Sequence, residues 1–107
     1  MLSIRLTPTD DQLIVLLGED YTYLQDNFKG FEIFKKHRMA LYAYEEHKNR
    51  LSYHIIYLQE WNQKNLVHEI SHCIDNLFDR TGLSGSETRA YFSGWLFEII
   101  NEKRGEI

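Results

Sequence analysis

Apolar and polar positions change rhythm once along this chain, and the change divides it into a strand-forming half and a helical half. Leu2 to Leu6 and Leu13 to Leu17 are short apolar runs separated by the turn-forming stretch Thr7-Pro8-Thr9-Asp10-Asp11, and both are read as strands. Asp20 can cap a short helix with Tyr21, Leu24 and Phe28 on one face, stopped by Gly30. Phe31 to Arg38 is ambiguous between helix and irregular structure. Met39 to Glu45 and Leu51 to Gln59 then show a period of two: Tyr42 and Tyr44 alternate with Leu41 and Ala43, and Tyr53, Ile55 and Tyr57 with His54, Ile56 and Leu58. The polar link Glu46-His47-Lys48-Asn49-Arg50 makes these a predicted hairpin.

From about Trp61 the period becomes helical. Leu66, Val67, Ile70, Cys73, Ile74, Leu77 and Phe78 fall on one broad arc, and Gly82 ends the segment. The opposite arc carries, in angular order, Asp75, His68, Asp79, His72, Asn76 and Glu69. A last helix is predicted from about Ser86 to Glu102. The fold class is therefore α+β: a small, mixed but mostly antiparallel sheet, followed by two helices joined by a tight glycine-containing turn. The 107 residues show no linker or repeat and are read as a single domain.

Composition narrows the function. A net charge of -4 and one short basic cluster, Lys35-Lys36-His37-Arg38, argue against a nucleic-acid partner. No run approaches the 18 apolar residues of a membrane span, and Met1-Leu2-Ser3-Ile4-Arg5 lacks a signal-peptide core, so a soluble protein with no membrane partner, made in the cytoplasm, is expected. Cys73 is the only cysteine and forms no internal disulfide; it reads as a small buried core residue.

The polar arc is where chemistry concentrates. A solvated helix face is usually rich in Lys and Glu, whereas this one has no Lys, two His and three acids. His68-Glu69-Ile70-Ser71-His72 spells H-E-x-x-H. Four residues apart on a helix, the two imidazoles are neighbours and can reach one ion, with Glu69 beside it to act on a water as general base. The alternative is the solvated side of an amphipathic helix with two histidines by accident.

A catalytic zinc ion takes three protein ligands. The candidate for the third is Glu87 on the following helix, which an antiparallel helix pair would bring near His72. Ala90 and Gly94, on the same side as Glu87, would allow the helices to approach closely. Against this, Ser84 and Glu87 also form S-x-x-E, a capping box in which Glu87 binds only the helix start. Asp75, one turn beyond His72, can orient a ligand or be a solvated acid. His54 can donate to a substrate oxyanion or be a satisfied half-buried residue. Tyr91, one turn after Glu87, can approach the cleft or simply pack. His37 and His47, in polar surroundings, have no such role.

His68-Glu69-x-x-His72 followed by Glu87-x-x-Ala90-x-x-Ser93-Gly94 resembles the gluzincin group of zinc metallopeptidases, most of all the compact ImmA/IrrE-type peptidases and the short zincin-like proteins of phages and prophages. The segment from Asn65 to Leu96 carries the resemblance. It implies a minimal zincin-like fold, Zn2+ held by His68, His72 and Glu87, Glu69 as general base, and a peptide or protein substrate hydrolysed by a metal-activated water. By analogy of fold, the strand Leu51 to Gln59 would offer its edge to the peptide. The rival expectation is a non-enzymatic structural or assembly protein of a phage, with a retained metal site and phage-protein partners, either in the host cytoplasm or virion-associated. Its 14% aromatic content would suit such an interface, with Trp61 and Trp95 as anchors.

Overall fold

The computed structural model of the protein describes residues 1–7, 9–27, 40–46 and 52–107. Strands β1 (Leu2–Leu6) and β2 (Asp11–Leu17) lead through a 3-10 turn into the short helix α1 (Tyr21–Asn27). Strands β3 (Ala40–Glu46) and β4 (Ser52–Leu58) follow, then the long helices α2 (Gln63–Thr81) and α3 (Ser86–Glu102) and a 3-10 turn at Arg104–Glu106. Phe28, Gly30, the basic cluster Lys35-Lys36-His37-Arg38 and His47 lie outside the described residues.

The four strands form one mixed sheet in the order β1-β2-β4-β3. β1 with β2 and β3 with β4 are antiparallel, whereas β2 and β4 run parallel, with Leu13 opposite His54 and Val15 opposite Ile56. The α+β class and the antiparallel β3–β4 pairing agree with the alternation in the sequence. One expectation is corrected here. β4 is bonded on both sides, by β2 and β3, so it has no edge to offer a peptide. Among the described residues the free edge on that side belongs to β3.

Strand alternation sorts residues onto two faces. Leu13 and Val15 of β2 and Ile56 and Leu58 of β4 point with Leu2, Ile4 and Leu6 into the main core against α2 and α3. Ile14, Leu16, Leu41, Ile55 and Tyr57 form a second buried cluster on the opposite face. This two-sided burial is what a strand paired in parallel inside a sheet requires, and it makes β4 almost continuously buried.

α2 begins where Asn62, in extended conformation, accepts the Asn65 N–H on its side chain, and ends at Gly82, whose φ of 75° closes the last turn with a bond to the Phe78 carbonyl. Leu66, Ile70, Cys73, Ile74, Leu77 and Phe78 are buried as the pattern predicts, but Val67 is half exposed, lying at the rim of the apolar arc. α3 buries Phe92, Leu96 and Ile100, and Phe92 meets Phe78 of α2 edge to face with ring centroids 6.2 Å apart. Trp61 and Trp95 are partly buried against this core; Arg104 sits over the Trp61 ring and Phe92 against Trp95. No helix of the described residues is long and apolar enough to cross a membrane.

Candidate metal centre

α2 lies across the sheet so that its His-bearing face meets β3. His68, Glu69 and His72 line a cavity of about 480 Å³ together with Asn65 and with Ala40, Leu41 and Tyr42 of β3. One ligand atom from each of His68, Glu69 and His72 lies within 4.8 Å of the others. Both histidines are exposed, whereas Glu69 is only 5% exposed at the helix–strand junction. A carboxylate so placed on an amphipathic helix is costly to bury and has to be compensated locally.

The histidine geometry can be tested against an ion. The two Nε2 atoms are 3.2 Å apart. A zinc ion about 2.05 Å from each would see them at roughly 100°, close to the tetrahedral angle. The same separation also suits a hydrogen bond between two neutral imidazoles, one donating and one accepting. Two imidazoles and a carboxylate, opening on a cleft, are a donor set that suits zinc and its neighbours in the transition series.

Glu87 is not brought to this group. Phe92, Leu96 and Ile100 define the buried side of α3, and at 100° per residue Glu87 falls on the opposite side with Ala90, Gly94 and Glu98. That side is open: a side chain added at Gly94 would meet nothing within 4 Å. The small residues therefore do not mediate helix approach. The capping box is not formed either, because the helix starts one residue later than S-x-x-E requires. Its N-cap is Gly85, at φ 102° with no side-chain cap, which leaves Glu87 as an exposed acid in the first turn.

The other candidates also find different places. Asp75 Oδ1 accepts from Arg89 Nη1, so it ties α2 to α3 instead of supporting His72 from behind. Tyr91 is 78% exposed and borders a separate cavity with Thr7, Phe92 and Trp95. His54 is fully buried with both ring nitrogens engaged, Nε2 with Asp11 Oδ2 and Nδ1 with the Tyr42 hydroxyl, each at 2.6 Å. It has no donor left for a substrate oxyanion. Cys73, as expected, is buried in the core, and burial pushes its thiol up to about 12, so it stays protonated.

What sequence reasoning missed is the network around His54. Asp11 also accepts from Arg80 Nη2, and the Arg80 guanidinium stacks over the Tyr44 ring at 4.2 Å. Because a carboxylate only accepts, His54 Nε2 carries the proton and Nδ1 accepts from Tyr42. Burial lowers the pKa of His54 despite the adjacent Asp11, and burial raises that of Tyr42, so a neutral imidazole faces a neutral phenol. The available signal was the strand register: Tyr42, Tyr44 and His54 are polar-tipped residues at positions whose neighbours, Ile56 and Leu58, are core. No protein-family model, curated protein or solved structure matches the chain.

Proposed function

We propose that this protein is a compact zincin-like hydrolase that uses a divalent metal, zinc by its donor types, to cleave peptide bonds. The observation that carries the reading is the convergence of His68, Glu69 and His72 at a cleft walled by the edge strand β3. When bound, zinc supplies a Lewis acid and lowers the pKa of water toward neutrality. His68 and His72, whose Nε2 atoms lie 3.2 Å apart, would hold the ion, leaving its other positions to water and substrate. Glu69 takes the proton of the attacking water and returns it to the departing amine. Its place beside both histidines, 5% exposed at the floor of the cleft, is the geometry this role needs.

A second reading follows from the position of Glu87. Without a third ligand from α3, Glu69 can serve as the third donor to the ion, and the site then stabilises a structural or assembly protein, as in the phage-particle alternative. Glu69→Gln separates the two. As a base, its loss leaves metal content intact while peptide hydrolysis falls by orders of magnitude. As a ligand, its loss releases the metal. Hydrolysis by Glu69→Gln at the unmodified rate would end the hydrolase mechanism stated here.

A further inference from the structure

Among the described residues, the most buried polar side chain is His54, and the chain Asp11–His54–Tyr42 built on it ends at the cleft. Tyr42 lies on β3, where its ring lines the same cavity as His68, Glu69 and His72. A tyrosine on an edge strand would ordinarily swing about its side-chain torsions. Here the hydroxyl is bound by His54 Nδ1 at 2.6 Å, and His54 is bound in turn by Asp11 at 2.6 Å. Asp11 is itself held by Arg80 from the last turn of α2. The far end of the phenol ring is therefore fixed from three elements, β2, β4 and α2.

That fixed ring faces a metal-site histidine. Tyr42 and His72 are nearly parallel, at 19°, with ring centroids 6.4 Å apart. His72 in turn receives His68 edge-on, at 85° and 4.7 Å. His72 is exposed, so nothing in the solvent holds its imidazole in one rotamer. We infer that Tyr42 is a positioning residue: anchored through His54 and Asp11, it orients the His72 imidazole so that both Nε2 atoms address one ion. The inference rests on the metal-site reading above. In metal sites generally, the partners that orient a ligand are worth about ten- to a hundredfold in affinity.

Cobalt(II) titration tests this, because its visible absorption reports both affinity and coordination geometry. Tyr42→Phe keeps the ring and cuts its anchor. It should weaken cobalt binding about tenfold and change the band intensities, and Tyr42→Leu should weaken binding further. Tyr44→Phe is the control. It removes the Tyr44 hydroxyl bond to Ser52 Oγ, 3.0 Å long, without touching His72. It should lower the melting temperature and leave cobalt affinity unchanged. If folded Tyr42→Phe and Tyr42→Leu bind cobalt as the parent does, while His72→Ala has lost it, the positioning role is refuted and the metal site stands. If the parent binds no cobalt, or His72→Ala binds it equally well, the metal-site reading itself fails.

Discussion

Asp11→Ala isolates the contribution of the buried network. Asp11 is 7% exposed, and its carboxylate serves His54 and Arg80 together. Truncation leaves the His54 Nε2–H without an acceptor inside a fully buried site, at a cost of about 1–3 kcal/mol. The Arg80 contact adds less. Its side chain is 30% exposed and keeps Asn76 as a partner, so water and Asn76 compensate most of the loss and about 0.5–1 kcal/mol remains. The sum is about 1.5–4 kcal/mol, a large part of the roughly 5–15 kcal/mol that a domain possesses. With an unfolding entropy of about 2.1 cal/mol/K per residue, 107 residues convert 3 kcal/mol into a fall in Tm of about 13 °C. Urea and thermal unfolding followed by circular dichroism measure this directly. Asp75→Ala, which breaks an exposed pair with Arg89, is the internal reference and should cost under about 1 kcal/mol. If Asp11→Ala costs no more than Asp75→Ala, the network is not a stabilising element and the reasoning is refuted.

Two further predictions concern protons and metal. Burial holds the folded-state pKa of His54 below its unfolded value, so below about pH 6.5 the unfolded chain binds more protons and stability falls as pH drops toward the folded pKa, by up to about 1.4 kcal/mol per pH unit. Asp11, Arg80, Tyr42 and Tyr44 are the groups facing His54, and urea midpoints between pH 7.5 and 5 should show a slope that His54→Gln reduces; an unchanged slope would assign it to other groups. Zinc at a hundredfold excess over its Kd should stabilise the fold by about 2.7 kcal/mol, raising Tm by roughly 12 °C, reversed by chelator. Glu87→Ala should leave that zinc shift intact, and its loss would show that α3 does supply a ligand.

The four strands, both long helices and the His pair were legible because each rests on a local period, whereas the strand order was not. Leu66 through Phe78 could be placed by spacing alone, and so could His68 and His72, since four residues apart on a helix leaves one outcome. Glu87 was not legible. The spacing E-x-x-A-x-x-S-G describes a helix face but not the direction in which that face turns, and the larger apolar residues Phe92, Leu96 and Ile100 decided the rotation of α3. The same limit applied to His54. Its alternation in β4 was correct, but its partners are 43 residues upstream at Asp11 and 12 upstream at Tyr42. The β3–β4 hairpin pairing supplies Tyr42, whereas Asp11 arrives only through the parallel pairing of β2 with β4, which no local period announces.

α2 thus carries two kinds of polar residue on the side that meets the sheet, and they divide along its length. Near its start, His68 and His72 open to solvent over β3 with Glu69 buried between them. Near its end, Arg80 reaches inward to Asp11. Had the helix been only an amphipathic cover, the sheet positions beneath this strip would be apolar like Ile56 and Leu58. Instead they hold Tyr42, Tyr44 and His54, polar groups whose burial is costly unless each is paired. Tyr42 belongs to both ends of the strip, bonded to His54 on one side and facing His72 on the other. A merely structural network would have no need to end against an exposed histidine. This junction joins the buried chain to the proposed metal group through one residue, Tyr42, and it is the contact on which the proposed positioning of His72 rests.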